Sequence, residues 1–402
     1  MGIKQNYDGY KAYGYLEEGK DYKAFKLCDP LNRVPEYLVP LDAQQEARVL
    51  ELAKNTVIIS VHDHPELMPE DIEADLKNYN REGRQRCNYE GLSRSYLDCV
   101  FDNMMDGTCT ISSWAGWKWV DVLQDLSFRL CDLAHQNYII KCEKVEDIVR
   151  AHREGKLALV PVVESAAIIE NEVDRVEILY GFGVRSMGIT YSESNALGSG
   201  LKEPGDGGLT LLGYKVVERM NKVGMTIDCS HVGDKTTLDV IEASQKPILL
   251  SHCGARTLWP TPRMKPDDVL KACAAKGGVI GVEAAPHNTM TLQDMVHTIE
   301  PFMAHFEYCV DLVGIDYVTF GPDTMYGDHV GLHHAFAANL SQKQQRKAVP
   351  PFEEVEYVKG LENPTEASKN ILRWLVKHNY SDENIRKVMG ENVLRVLKET
   401  WV

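Results

Sequence analysis

The sequence lacks the features that mark several common classes of protein. Its ten cysteines, spread from Cys28 to Cys309, include no CxxC pair, which is typical of buried thiols in a reducing compartment rather than of a disulfide framework. It also has no run of basic residues, and 44 Lys and Arg stand against 59 Asp and Glu for a formal charge of −15. Nucleic acids and anionic membrane surfaces are therefore poor partners.

Long apolar segments are missing as well. No stretch offers 18 consecutive apolar residues, and residues 1–18 contain no apolar core of the kind found in a signal peptide. We therefore expect no membrane span, no signal peptide and a cytoplasmic location. The composition, 44% hydrophobic and 26% charged over 402 residues, is that of a folded globular protein with room for a large core.

Eight short apolar runs recur along the chain. Most are continuous rather than alternating, which is typical of strands buried on both faces of a parallel sheet. The runs are residues 56–61, 107–113, 157–163, 184–190, 224–230, 247–251, 278–283 and 317–321. Segments with helical spacing lie between them, at residues 145–153, 210–223, 236–244, 266–275 and 292–313.

This alternation predicts an α/β fold of the (β/α)8 TIM-barrel type. A doubly wound sheet is the alternative, but no Gly-rich phosphate loop follows the first strand, which weakens that alternative. Residues 1–55 are predicted to be an N-terminal extension that packs on the barrel, and residues 56–402 to be the barrel domain.

Two segments follow the last predicted strand. Residues 324–350 are polar and predict an exposed insertion or lid. Residues 365–400 predict two amphipathic C-terminal helices joined at 378–384, with Ser381 as an N-cap.

Six side chains able to bind a metal or move a proton fall at the ends of predicted strands. They are His62 and His64 after the first strand, Glu164 after the third, His231 after the fifth, His252 after the sixth and Asp323 after the eighth. Because the carboxyl ends of barrel strands converge on one mouth, the topology would bring all six together. Any one of them alone is more often a structural residue, but the combination indicates a metal site.

Several imidazoles with a carboxylate suit Zn2+ or a similar divalent transition ion. We predict two ions, one bound by His62, His64 and Glu164, the other by the bridging Glu164 with His231 and His252. A water between two such ions is a hydroxide at neutral pH, and Asp323 would orient it or take its proton.

Other residues near the predicted mouth have two interpretations. Three tryptophans either pack the core or line a substrate pocket: Trp114, Trp117 and Trp119. Three histidines of the polar insertion are expected to be solvated, with contact to substrate as the alternative: His329, His333 and His334. Cys229 and Cys253 are expected to be packing residues.

At these residues the sequence resembles the membrane (renal) dipeptidase family, peptidase M19 of the amidohydrolase superfamily. The resemblance covers about residues 56–396 and is strongest in 208–232, 251–268, 313–323 and 390–396. It implies a (β/α)8 metallohydrolase with a binuclear zinc centre, and a homodimer. The residues that match its metal ligands are His62, Glu164, His231 and His252, with Glu164 bridging. Asp323 matches the catalytic acid/base, and Arg263 matches the arginine that holds a substrate carboxylate.

Two positions depart from the family pattern. The family usually has His-x-Asp after the first strand, whereas this sequence has His62-x-His64. His-x-His is common in the wider superfamily. With histidine in place of aspartate, the site has one negative charge fewer. The substrate-binding histidine after the fourth strand aligns with Tyr191, which can donate only a neutral hydrogen bond to a developing oxyanion.

The leading hypothesis is a zinc-dependent hydrolase that cleaves the amide bond of a small carboxylate-bearing substrate, either a dipeptide or an N-acyl amino acid. One alternative is a metal-dependent lyase or decarboxylase of the same superfamily. Another is a metal-binding interaction module without catalysis. Retention of Asp323 and Arg263 argues against the module, because neither residue is needed merely to hold an ion.

Overall fold

A curled sheet of parallel strands forms the centre of the molecule, in a computed structural model that describes residues 6–103, 118–288, 290–339 and 351–402. Eight strands pair in parallel, each with the next. They are β1 (Ile59–Leu67), β3 (Cys99–Asp102), β5 (Leu157–Val163), β6 (Ser186–Gly188), β7 (Thr226–Asp228), β8 (Leu249–Cys253), β9 (Val279–Val282) and β10 (Val318–Phe320). Two short strands, β2 (Arg86–Cys87) and β4 (Ile139–Lys141), pair with β1 and β5.

The first and last of these strands meet. The chain after β10 continues into β11 (Met325–Tyr326), which pairs in parallel with β1. Backbone bonds extend this contact, since Asp323 N donates to His62 O at 3.0 Å and His64 N donates to Thr324 O at 2.8 Å. The predicted α/β fold around a curled parallel sheet is therefore confirmed.

Helices separate the strands and continue after them. They are α1 (Ala43–Asn55), α2 (Ile72–Glu82), α3 (Tyr89–Ser93), α4 (Trp119–Leu133), α5 (Val145–Glu154), α6 (Arg175–Phe182), α7 (Leu211–Val223), α8 (Asp234–Ala243), α9 (Asp267–Ala275), α10 (Ile299–Val313), α11 (His329–Asn339), α12 (Pro364–Lys377), α13 (Asp382–Arg386) and α14 (Asn392–Thr400). Short 3-10 turns span Ala166–Ile169 and Ile315–Tyr317, and a π turn spans Lys387–Glu391.

Local sequence explains several helix ends. The Thr210 side chain caps α7 by accepting from Gly213 N, and Gly224 ends that helix with a φ of 85°, a conformation that costs glycine little. Ser381 caps α13 by accepting from Asn384 N, as predicted. None of the helices within the described ranges is both long and apolar enough to cross a membrane.

Three boundaries differ from the prediction. The strand after β1 in the sheet is Cys99–Asp102, which follows the buried Asp98 and ends in the buried Asp102, so its apolar pattern is short. Residues 107–113 lie outside the described residues. The helix predicted from residue 292 begins at Ile299, where Thr298 accepts from Glu300 N as its cap. Residues 324–339, expected to be an exposed insertion, contain β11 and α11.

The N-terminal segment contacts the helices around the sheet. Tyr10 Oη and Tyr13 N both donate to Asp132 Oδ1, at 2.7 and 2.6 Å. Val39 N donates to Asn370 Oδ1 at 2.9 Å. The core itself is made of strand and helix side chains, and it includes the fully buried Cys229 and Cys253 that we expected to pack there.

Candidate metal centre

The six residues predicted to bind metal or move a proton lie together at the carboxyl ends of the strands. They are His62 and His64 on β1, Glu164 after β5, His231 after β7, His252 on β8 and Asp323 after β10. Their side chains are no more than 13% exposed. Because the carboxyl ends of parallel strands converge in a barrel, side chains carried near or just after those ends lie at one mouth.

Glu164 lies among three imidazoles. Its Oε1 is 3.0 Å from His252 Nε2, 3.1 Å from His231 Nε2 and 3.7 Å from His62 Nε2. The Nε2 atoms of His231 and His252 are 3.0 Å apart. Two ligands of a tetrahedral zinc ion, each about 2.0–2.1 Å from the metal, are separated by roughly 3.3 Å. Glu164, His231 and His252 therefore have nearly the spacing that one shared ion requires.

Asp323 faces the two histidines of β1. Its Oδ1 is 3.0 Å from His64 Nε2 and 3.3 Å from His62 Nε2. The ligand atoms of His62, His64 and Asp323 form one compact group, and those of His62, Glu164 and His252 form another. The structure thus brings His64 close to Asp323, with His62 within 3.7 Å of both carboxylates.

The protonation of the histidines follows from their surroundings. Burial lowers the pKa of His62, His231 and His252, so these rings are neutral, the form that binds metal. Burial acts in the same direction on His64, but its hydrogen bond with Asp323 outweighs this effect and raises its pKa to about 10. Burial alone would raise the pKa of Asp323, yet His62 and His64 hold it well below its usual range.

A hydrogen-bond chain fixes the ring of His252. Ser251 Oγ donates its proton to Asp228 Oδ2 at 2.6 Å, so it can only accept from His252 Nδ1, which lies 2.8 Å away. The proton of the imidazole is thereby held on Nδ1, and Nε2 is left with a free lone pair that points at Glu164. A serine also lies beside His231, with Ser192 Oγ 3.3 Å from its Nδ1.

The backbone around Asp323 is held in an unusual conformation. Asp323 has a φ of 58°, in the left-handed region that few residues other than glycine adopt. The next residue secures it, because Thr324 N and Thr324 Oγ1 both donate to Asp63 Oδ1, at 2.8 and 2.7 Å. Asp63 therefore fixes the turn that aims Asp323 at the histidines. Strain of this kind is common at functional sites.

The residues present fit a divalent transition ion. Both ring nitrogens of His62 are buried without a hydrogen-bond partner among the described residues, although Nε2 lies close to Asp323. Neutral imidazole nitrogen combined with carboxylate oxygen is the donor set that Zn2+ and its neighbours prefer. An ion coordinated at this position would satisfy atoms that are otherwise costly to bury.

A cavity of about 530 Å3 opens over these residues. Tyr191 and Arg263, predicted to contact substrate, both line it, and the ring of Tyr191 stacks on His231 with centroids 4.1 Å apart. Small-molecule sites commonly have volumes of about 300–1,000 Å3. The cavity is therefore of a size for a dipeptide or a similar small molecule.

The helix after the last strand contributes to this cavity, contrary to our expectation of solvated histidines. His329, His333 and His334 on α11 all line it, and only His334 is largely exposed. The reason is that α11 packs against α2 through an apolar cluster, which the mostly polar composition of residues 324–350 does not indicate.

Trp119 begins α4 and packs against Arg175, while Trp114 and Trp117 lie outside the described residues.

Two residues of the site were missed by the sequence analysis. Glu283 follows β9 and contacts Arg263, and its carboxylate lies within 4.8 Å of ligand atoms on His252 and Asp323. Lys202 also lines the cavity. Glu283 has the same positional signal as Glu164, since it ends a predicted strand. Lys202 has none, because it lies in the long loop between β6 and α7.

Comparisons with known proteins agree with this architecture. A crystal structure of an amidohydrolase from Pseudomonas aeruginosa superposes with a TM-score of 0.71 at 27% identity, over 88% of this chain and 99% of that one. A metallo peptidase from Rhodobacter sphaeroides, liganded with a phosphinate mimic of the dipeptide L-Ala-D-Ala, superposes with a TM-score of 0.64 over 86% and 100% of the two chains. At 19% identity, this second likeness concerns the fold alone.

Two curated relatives are similar in sequence. Dipeptidase tcpJ of Claviceps purpurea is 28% identical over 277 residues, which are 68% of this chain and 58% of the relative. The chain thus spans little more than half of that relative's length. An uncharacterized protein in the pqqA 5' region of Klebsiella pneumoniae is 27% identical over 294 residues, 71% of this chain and 96% of the relative.

The fold and the site together define a parallel α/β barrel with a histidine and carboxylate centre at its mouth. Within that class, the model of one family, membrane dipeptidase (peptidase family M19), matches residues 48–338 and 352–401. The chain belongs to this family, and the predicted resemblance is confirmed.

Proposed function

We propose that the chain is a metal-dependent hydrolase that cleaves the amide bond of a small carboxylate-bearing substrate, a dipeptide or an N-acyl amino acid. The observation that carries this proposal is the convergence of four histidines and two carboxylates beneath a cavity of about 530 Å3. Membership of the family and the dipeptidase from Claviceps support an amide substrate of this size.

The centre would hold two divalent ions, with Zn2+ the preferred metal. The residues proposed to bind them are His62, His64, Glu164, His231 and His252, with Glu164 shared between the two ions. An ion bound by His64 would displace the proton that Asp323 stabilises on that ring. Such ions, when bound, acidify a water molecule and polarise the carbonyl to be attacked.

Asp323 is the proposed general acid and base. Its ionised carboxylate faces the centre, where it can take a proton from the attacking water and return it to the leaving nitrogen. Tyr191 would donate a neutral hydrogen bond to the developing oxyanion. Arg263 is proposed to act on the carboxylate end of the substrate, and its positive charge would favour an anion in the cavity.

We also propose that the protein is a cytoplasmic homodimer in which residues 1–55 pack on the barrel domain of residues 56–402. Family resemblance supports the dimer, and the scattered cysteines without a CxxC pair support a reducing compartment. The charge of −15 argues against nucleic acid and anionic membrane surfaces as partners.

Turnover of a substrate panel tests the reaction. Purified protein supplied with Zn2+ is assayed on dipeptides and on N-acetyl amino acids, with and without a chelator. We expect hydrolysis of at least one group, lost with chelator and restored by Zn2+. The replacement of an aspartate by His64 makes the site less negative, so N-acyl substrates without a free ammonium are expected to gain relative to dipeptides. Absence of hydrolysis across the whole panel would contradict the proposal.

A further inference from the structure

A row of aromatic rings leads away from the metal centre along one wall of the cavity. It starts at His64 and continues, in order, through the rings of His329, His333, His287 and Phe352. Successive ring centroids are 6.2, 4.7, 5.7 and 5.0 Å apart, which are the separations of aromatic side chains in contact. All five residues line the cavity of about 530 Å3. We call this wall the ring row.

Segments far apart in sequence build the ring row. His329 and His333 lie four residues apart on α11 and therefore on one face of that helix. His287 follows β9 with a φ of 71°, a left-handed conformation that costs a residue with a bulky side chain energy. Phe352 comes from the segment before α12 and also packs against the buried His297, with centroids 5.8 Å apart. The ring row is thus a product of tertiary structure.

An exposed histidine fixes the outer end of the ring row. His334 Nδ1 lies 2.8 Å from Glu73 Oε1 on α2, and His334 Nε2 lies 2.7 Å from Glu354 Oε1. These two carboxylates raise the pKa of His334 and so favour the charged form, which donates from both nitrogens. Because Glu354 is two residues from Phe352, this pair of bonds holds the Phe352 segment against α11.

The histidines in the middle of the ring row are neutral at pH 7. Burial lowers the pKa of His329 to about 4, that of His333 well below its usual range, and that of His287 as well. The cations that line the cavity come from other loops, and they are Lys202 and Arg263. The cavity therefore combines a positively charged region with an uncharged aromatic wall.

The cavity is large enough for an aromatic group beside the amide bond to be cleaved. A dry cavity of about 150 Å3 holds one benzene molecule, and the volume here is about 530 Å3. Flat aromatic groups gain from stacked or edge-to-face contacts with a wall of this kind, beyond the gain from burying their apolar surface.

The position of Arg263 indicates which end of the substrate reaches the ring row. In the proposed reaction the carboxylate belongs to the amine that leaves, and Arg263, after β8, acts on it. In the sheet, β9 and β10 separate β8 from the meeting point with β1, where the ring row begins at His64. The group on the other side of the scissile carbonyl is therefore the one directed at His329 and His333.

We propose that the ring row binds an aromatic group on the acyl side of the substrate. The preferred substrates are then N-arylacyl amino acids, or dipeptides whose first residue is aromatic. This inference rests on the proposed function and deepens it by naming the substrate class.

The test compares acyl groups that differ only at the ring. The value of kcat/KM is measured, with Zn2+ supplied, for N-phenylacetyl-alanine, N-cyclohexylacetyl-alanine and N-acetyl-alanine. We expect the phenylacetyl compound to exceed the acetyl compound about 10- to 100-fold, as burial of one ring implies. It should exceed the cyclohexylacetyl compound, which has a ring of similar size that is not flat, about 2- to 10-fold. Equal values for the two ring compounds would overturn the inference.

Variants of the ring row locate the contact. His333→Ala and Phe352→Ala are each expected to reduce the preference for phenylacetyl over cyclohexylacetyl, whereas His333→Phe, which keeps a ring at this position, retains it. The exposed His135→Ala is the control and keeps the wild-type preference. A general loss of stability would lower the rates for all three compounds alike. An unchanged preference in both alanine variants would show that the ring row does not bind the aromatic group.

Two dipeptides check the side of the amide. We expect wild type to cleave phenylalanyl-alanine with a higher kcat/KM than alanyl-phenylalanine. The reverse order would contradict the assignment to the acyl side.

Failure of the proposed function is distinguishable from failure of this inference. Should wild type hydrolyse none of these compounds, the function is contradicted, and calorimetric binding of the phenylacetyl and cyclohexylacetyl compounds then decides the role of the ring row. Tighter binding of the phenylacetyl compound by wild type, but not by His333→Ala, supports the inference. Equal binding of the two compounds by wild type contradicts it.

Discussion

Asp323 lies where the chain turns out of β10, in a left-handed backbone conformation that asparagine tolerates nearly as well as aspartate. Its Oδ1 lies 3.3 Å from His62 Nε2 and 3.0 Å from His64 Nε2, which supports its proposed role in taking the proton of an attacking water. The function proposed for it depends on basicity rather than on shape.

Asp323→Asn is therefore expected to fold and to bind metal almost as wild type does, while kcat falls roughly 100- to 10,000-fold. Turnover and metal content of the variant are compared with those of Asp311→Asn, an exposed position on α10. Near-normal turnover in Asp323→Asn would mean that another group moves the proton.

The ring of His252 depends on Ser251, which accepts from its Nδ1 while donating to Asp228. Ser251→Ala removes the acceptor and frees the ring to take the tautomer that cannot bind metal through Nε2. We expect zinc affinity to fall about 10- to 100-fold, measured by competition with a chelating dye. Ser244→Ala, at the end of α8 and away from the centre, is the control. Equal affinities would show that Ser251 does not position the ligand.

Much of the site could be predicted from residue positions alone. His62, His231 and His252 follow apolar strands, and in a barrel such positions share one mouth. Lys202 could not be found in this way, since its place depends on how a long loop folds back over His231. Glu283, like Glu164, lies at the end of a predicted strand and could have been found from that position. Its pairing with Arg263 became apparent only from the contact in the structure.

Among the elements, α10 contributes a histidine that is used as a structural hydrogen-bonding group. His305 Nδ1 accepts from Ala255 N at 3.0 Å, and Nε2 lies 2.8 Å from Met290 O, so the ring is neutral. Burial lowers its pKa to about 4. Between pH 6.5 and 4 the unfolded chain takes up a proton at this position that the folded chain does not. The free energy of unfolding should consequently fall as the pH drops through this window, by up to about 3 kcal/mol from this residue.

His305→Gln is expected to flatten that dependence, because the amide does not titrate. Urea unfolding at several pH values between 4 and 7 gives the slope of the free energy of unfolding against pH for wild type and for His305→Gln. The exposed His135→Gln is the control. An unchanged slope in His305→Gln would assign the acid sensitivity to other groups.

Elements with continuous apolar runs and clear caps were predictable, whereas those whose burial depends on distant partners were not. Residues 157–163 and 210–223 match β5 and α7 closely, since local pattern and tertiary burial agree there. The strand Cys99–Asp102 ends in a buried aspartate, so its sequence lacks the continuous apolar run that would have predicted a strand. Helix α11 has almost no segregation of polar and apolar faces, because its histidines point toward the cavity.

At the scale of the whole molecule, a buried amide on α12 is one of the groups that join the N-terminal segment to this helix. Asn370 accepts from Val39 N and donates to Tyr37 O and Gly360 O, at 2.9, 2.7 and 2.9 Å. Asn370→Ala leaves these backbone groups without partners, so we expect about 1–3 kcal/mol less stability with little change in metal binding. Chemical denaturation measures the loss, with Lys377→Ala on the same helix as the control. Stability equal to that of the control would mean that the segment is held by other contacts.

The central claim is that strand ends far apart in sequence form one metal centre on which hydrolysis depends. The most direct measurement is the rate of amide hydrolysis by metal-free protein as Zn2+ is added in known equivalents per chain. We predict that metal-free protein is inactive and that the rate rises with added Zn2+ and levels off at two equivalents. A rate that is already full before any metal is added, or that is independent of the amount added, would contradict the account.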